Sequence, residues 1–123
     1  MTNELPPDNR IPQPRDRIRI EDLVIAPYPD RYRVRITIKV TPFQERPNLL
    51  LVARSDTSGQ IVGELDIIAT MHTTMEFTLH IRNVDDPAGQ YTLTADLFFD
   101  TRNPPQDRCA APFTIPGAED VPE

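Results

Sequence analysis

From Arg31 to Thr41 the chain alternates polar and apolar side chains without a break: Arg-Tyr-Arg-Val-Arg-Ile-Thr-Ile-Lys-Val-Thr. Tyr32, Val34, Ile36, Ile38 and Val40 fall in one set, and Arg31, Arg33, Arg35, Thr37 and Lys39 in the other. A helix turns by about 100° per residue and would scatter both sets around its circumference. A strand places successive side chains on opposite faces and separates them completely. The fold must therefore supply this segment with one dry face and one wet face, which is the situation of a strand in an antiparallel sheet.

Two further segments repeat the pattern. Met75, Phe77, Leu79 and Ile81 alternate with Thr74, Glu76, Thr78, His80 and Arg82, and Tyr91, Leu93, Ala95, Leu97 and Phe99 alternate with Thr92, Thr94 and Asp96. Four other strands are expected with less regular patterns. Arg17–Ala26 alternates through Ile18 and Ile20 and shifts at Leu23-Val24-Ile25, as a bulge or a change of sheet would require. Leu49–Arg54 is a continuous apolar run, expected of a central strand buried on both sides. Ser55-Asp-Thr-Ser-Gly-Gln60 is turn chemistry leading into Ile61–Thr70. Arg108–Ile115 contains Pro112, which cannot donate to a ladder and so belongs at an edge or a bulge.

Seven strands punctuated by turns predict an all-β chain, a single seven-stranded antiparallel sandwich. A length of 123 residues suits one domain and one core, and 14 prolines suit strands and extended ends far better than helices. Residues 1–16, with four prolines, read as a disordered or extended arm, residues 17–115 as the sandwich, and residues 116–123 as a short acidic tail. Cys109 is the only cysteine, which excludes an intrachain disulfide. The start is polar and shows no signal-peptide pattern, so a cytoplasmic protein is expected.

Asp86-Pro-Ala-Gly-Gln-Tyr91-Thr-Leu resembles the opening of the sixth strand in immunoglobulin-like and fibronectin-III-like domains. The resemblance implies a tyrosine corner: the Tyr91 hydroxyl returns to backbone a few residues upstream and clamps the crossover between sheets. Leu93 then stands where antibody-type domains place their second cysteine, with Ile36 or Ile38 facing it. The chain has no tryptophan, so Leu51 is expected to fill the space of the buried indole. The resemblance implies an immunoglobulin-like fold and is silent on function, because this sandwich hosts unrelated activities.

Charge is unevenly distributed. Residues 1–54 hold ten basic and seven acidic side chains, and residues 55–123 three and twelve, giving +3 and −9 and the net −6. A net charge of this sign argues against nucleic acid and anionic membranes as partners. With the first, second and fifth strands in one sheet, Arg17, Arg19, Arg31, Arg33, Arg35, Lys39 and Arg82 are expected on its outer face. Arginine suits planar contacts to carboxylates and phosphates, the alternative being a solvated face partly neutralised by cross-strand pairs. The absence of interleaved aromatics argues against single-stranded nucleic acid.

The loops offer two further clusters. Asp30, Asp56, Asp85 and Asp86 should gather at one end of the sandwich as oxygen ligands for calcium, or simply as turn residues. Glu45, Arg46, His72, Asp100, Arg102 and Asp107 should gather at the other, without a nucleophile or a second histidine at ligand spacing. His80 reads as a surface residue and Cys109 as a small buried hydrophobe. The expectation is a non-catalytic protein-interaction or assembly module without cofactor, binding another protein or its own copy through the basic face or a sheet edge. The alternative is a calcium- or carbohydrate-binding accessory domain, for which Tyr28 and Phe43 are the loop aromatics.

Overall fold

A computed structural model describes residues 10–120. Seven strands follow one another: β1 (Ile20–Pro27), β2 (Arg33–Val40), β3 (Asn48–Ser55), β4 (Ile61–Ile67), β5 (Thr74–His80), β6 (Gly89–Phe98) and β7 (Asp107–Ile115). They form two antiparallel sheets, ordered β1-β2-β5 and β4-β3-β6-β7. This is an immunoglobulin-like sandwich in which the fourth strand pairs with the third. Among the described residues no helix is long and apolar enough to cross a membrane.

The core lies where the alternating faces meet. Val34, Ile36, Ile38 and Val40 of β2 are fully buried, as are Leu49, Leu51 and Ala53 of β3 and Leu93, Ala95 and Leu97 of β6. Leu51 and Leu93 thus occupy the interior positions expected of them. Tyr91 is buried, donates its hydroxyl to the Pro87 carbonyl at 2.6 Å, and stacks on Phe113 with ring centroids 5.2 Å apart. The tyrosine corner is present. Burial pushes its phenol above the ordinary value of 10.0, and the nearby Asp86 charge adds to the rise.

Several local expectations are corrected. Leu50 and Val52 are half-buried rather than enclosed, because among the described residues no strand or helix packs on the outer face of the four-stranded sheet. In β1 the register shifts between Ile20 and Asp22, before the predicted Leu23-Val24-Ile25. After that bulge Leu23 and Ile25 pack against the core, and Val24 faces out, 51% exposed. Pro112 lies in β7, an edge strand, as its missing N–H requires.

The predicted arm divides. Residues 1–9 lie outside the described residues, and residues 10–16 are anchored. Gln13 donates to the Pro42 carbonyl at 2.8 Å and accepts from Gln44 N–H at 3.0 Å, forming a parallel bridge to Phe43. A 3₁₀ turn at Arg15–Arg17 then delivers Ile18 into the core, fully buried. At the other end a second 3₁₀ turn spans Ala118–Asp120, and residues 121–123 are outside the described set.

Tyr91 generates a stability test. Tyr91→Phe removes only the hydroxyl bond to Pro87 and is expected to cost about 1 kcal/mol. Tyr91→Ala also empties a packed aromatic site and should cost about 3–5 kcal/mol. Urea unfolding of both variants measures the difference.

Candidate functional site

β2 is the central strand of its sheet, so its outward residues sit mid-face. The register places Arg35 between Ala26 and Thr78, Lys39 between Asp22 and Thr74, and Arg33 beside His80. Arg33, Arg35 and Lys39 are all exposed. Arg33 is engaged: Nε donates to Asp30 at 2.6 Å, and the guanidinium lies 4.6 Å from the Tyr28 ring centroid. The side chains of Arg35 and Lys39 have no hydrogen-bond or ion-pair partner among the described residues. The face therefore offers two cations without a bonded side-chain partner, with Asp22 cross-strand from Lys39 and Glu76 cross-strand from Thr37 between them.

The other predicted members of the stripe lie elsewhere. Arg31 precedes β2 in a tight turn, with φ of 68° and its N–H donating to the Tyr28 carbonyl at 3.0 Å. The left-handed backbone breaks the alternation, and its side chain turns inward to Asp86 and the Pro116 carbonyl, both at 3.2 Å. The same break leaves Tyr32, expected inward, 42% exposed with its hydroxyl donating to the Asp85 carbonyl at 2.8 Å. Arg17 belongs to the 3₁₀ turn, and Arg19 donates to the carbonyls of Asp16 and Ile18. Arg82 lies past β5, where its N–H donates to the Val62 carbonyl of β4. Sequence spacing alone could not register these exits from the sheet.

The predicted carboxylate end exists as a place but not as a ligand cage. Asp30 accepts from Arg33 and from Tyr32 N–H, Asp86 from Ala88 N–H and Arg31, and Asp56 from the Thr92 hydroxyl. Among the described residues no three His, Cys, Asp or Glu side chains converge as a metal site would require. Arg33 holds the Asp30 carboxyl below its ordinary 3.8. The Ala88 N–H, and then Arg31, do the same for Asp86.

At the opposite end Arg15, absent from the predicted clusters, is the organiser. It pairs with Glu45 and Asp100 and lies 4.7 Å from the Phe99 ring centroid, and its carbonyl accepts from Gln106 Nε2 at 3.0 Å. Asp107 accepts from Ile20 N–H at 2.8 Å and so ties β1 to β7. His72 is exposed in the β4–β5 connection, and His80 is exposed on the outer face of β5, as predicted. Cys109 is half-buried.

The four-stranded sheet carries a shallow outer trough of about 380 Å³, which sequence reasoning missed. Its floor is Leu50 and Val52. On one flank Arg108 holds the 8%-exposed Asp96 through two bonds, 2.7 and 3.1 Å. The missed signal was the register itself, since Asp96 and Arg108 are cross-strand partners.

No family model matches the chain, and no curated protein matches it. Its fold is found in solved structures. One is the Bifidobacterium dentium β-glucuronidase complexed with coumarin-3-O-glucuronide, at TM-score 0.54 and 16% identity. Another is a glycosyl hydrolase family 2 member from Bacteroides cellulosilyticus, at TM-score 0.53 and 12% identity. What is shared is the sandwich. Each match covers 80% of this chain but only 18% and 14% of those longer chains.

The lowered carboxyls predict a pH dependence. A carboxyl with a depressed folded pKa contributes its stability fully above its unfolded value, here 3.8, and loses it as pH falls through the folded value. An Asp30→Asn, Asp86→Asn double variant should therefore melt below wild type at pH 7. The two melting curves should converge as pH drops below the carboxylate range, which a pH series of thermal melts measures.

Proposed function

We propose that this chain is a non-catalytic binding module that engages an acidic protein partner on the outer face of the β1-β2-β5 sheet. The carrying observation is Arg35, exposed at the centre of that face, without an ion partner among the described residues and flanked by uncharged Ala26 and Thr78. A guanidinium so placed keeps its planar fork available for a carboxylate. Lys39 extends the cationic line along the same strand, four positions or ~13 Å beyond Arg35 with Thr37 between them. Support for a non-catalytic role comes from the small share of the glycosidase chains that the fold matches.

The likeness to glycosidase chains favours a second reading, an accessory module beside a carbohydrate-active enzyme. The trough over Leu50 and Val52, with Glu64, Thr94 and Arg108 as hydroxyl partners, would be its seat. The two loop aromatics lend it no stacking platform: Tyr28 is covered by Arg33, and Phe43 packs against the core. Gels cast with a polyglucuronate polysaccharide test this reading. Retarded migration supports it, and unchanged mobility rejects it.

The first reading predicts the behaviour of Arg35→Glu with Lys39→Glu, both outside the core. Affinity capture from the native host should retain a partner on wild type at low salt, release it at high salt, and lose it on the variant. Identical retention on both proteins rejects the face. Circular dichroism melts should show the variant folded near the wild-type temperature.

A further inference from the structure

β5 is an outer strand of its sheet and pairs only with β2 among the described residues. Two bonds bracket the ladder between them: Val40 N–H donates to the Thr73 carbonyl and Ile81 N–H to the Tyr32 carbonyl, each at 2.8 Å. In an antiparallel ladder bonded and non-bonded pairs alternate. Met75, Phe77 and Leu79 therefore direct their backbone groups at β2, and Thr74, Glu76, Thr78 and His80 direct theirs at the open edge. At His80 that edge meets β4. There a Cβ on Gly63 would lie 2.9 Å from the His80 carbonyl oxygen, and Arg82 N–H donates to the Val62 carbonyl. Over residues 74–78 the outward N–H and C=O groups form no bond among the described residues.

The edge also has room beside it. β4 and β5 belong to opposite sheets and leave a cleft between their edges, the β4–β5 lip. It holds one hollow of about 470 Å³ beside Thr78 and His80, and one of about 370 Å³ beside Thr74 and Glu76. Leu65, Ile67 and Phe77 wall these hollows and are only half-buried. The β4–β5 connection is tethered, because Asn48 accepts from Ala69 N–H at 2.8 Å and donates to the Phe99 carbonyl at 2.9 Å. It leaves Ile68 and Met71 71% and 62% exposed, with Met71 on the wall of the smaller hollow. β1 carries a bulge and Pro27, and β7 carries Pro112, whereas β5 contains neither proline nor bulge. An edge without such devices is open to a further strand.

We propose that the β5 edge takes up an extended segment of the acidic partner as an added strand, with acidic residues opposite Thr74 and Thr78 and apolar residues opposite Met75 and Phe77. This rests on the cationic-face reading above and names what that face recognises. The outward backbone groups recur at every second residue, a spacing that only an extended chain can match. The register then selects the side chains. Arg35 lies cross-strand from Thr78, and Lys39 from Thr74. Both threonines are short, so each cation can extend across β5 to a carboxylate on the added strand, two strand spacings or about 10 Å from β2. Glu76, between the threonines, repels a carboxylate opposite itself and favours a lysine there. The intervening residues point into the lip, onto Phe77 and Ile67. The segment required thus reads acidic, apolar, basic, apolar, acidic. A second copy of β5 does not fit, because centred on Glu76 it sets like charge against like charge and offers the cations only threonine.

A capped synthetic peptide, Gly-Ser-Glu-Val-Lys-Val-Glu-Ser-Gly, tests the inference, and its core reads the same in both directions. Titrated to about 2 mM against the full chain, it should saturate and slow amide exchange at Thr74, Glu76 and Thr78. Proline in place of its lysine removes the central N–H and should weaken binding about tenfold or more. Glu76→Pro makes the same deletion from the protein's side and leaves the β2 ladder whole, which circular dichroism checks. A Lys-Val-Glu-Val-Lys core should not bind, and Arg35→Glu with Lys39→Glu should lose the original peptide. Absence of binding, or equal binding of the proline peptide, overturns the inference. Loss in the arginine–lysine variant with full retention of the proline peptide overturns the added strand and leaves the cationic face standing. Binding indifferent to both charge reversals overturns the cationic reading, and this inference with it. A dimer of the chain alone that the peptide disperses in sedimentation makes a second copy the occupant and overturns it too.

Discussion

The structure depends on the burial of one face of β2. Val34, Ile36, Ile38 and Val40 are completely enclosed, and a strand with this period can hide them only against a second sheet. Everything on the inner faces answers that requirement: Leu49, Leu51 and Ala53 from β3, and Leu93, Ala95 and Leu97 from β6. The alternation that hides these side chains commits Arg33, Arg35 and Lys39 to the outside, because a one-residue slip would exchange the two sets. The binding surface proposed for this chain is therefore a by-product of its core.

The crossover from β5 to β6 is where local chemistry supports that arrangement most directly. Tyr91 closes on Pro87 from inside, while Asp86 holds Ala88 N–H and Arg31 from outside. Arg31 also reaches the Pro116 carbonyl, so one side chain joins the β1–β2 turn, the β5–β6 crossover and the end of β7. Arg15 does the corresponding work at the opposite end through Glu45, Asp100 and Phe99. Arg31 is a candidate for binding when charge alone is considered. In the folded chain both arginines bind the protein itself, whereas the Arg35 side chain stays without a partner among the described residues.

The outer surfaces carry two different kinds of chemistry. The β1-β2-β5 face is polar and cationic at its centre, whereas the β4–β5 lip is apolar and rigid. The likeness to part of much longer chains shows that the sandwich scaffold also occurs within larger proteins.

The sequence by itself determined the class of fold, the strand that anchors the core, an edge or a bulge for Pro112 and, through its resemblance to immunoglobulin-like domains, the corner tyrosine. Each rests on a short-range rule: the two-residue period, the missing proline N–H, or a fixed offset between a hydroxyl and an upstream carbonyl. It also placed Arg33 and Arg35 side by side, since strand geometry suffices for that. Only the tertiary structure decided that Arg31 turns away, because a left-handed residue in a turn interrupts the period without changing composition. Only it could pair Asp96 with Arg108 or show Leu50 and Val52 half-open, because both depend on which strand lies opposite and on what leaves an outer face uncovered. The exposure of Ile68 and Met71 was equally hidden. Their fate depends on Asn48, some twenty positions away in sequence and adjacent only once the sheet connections have formed.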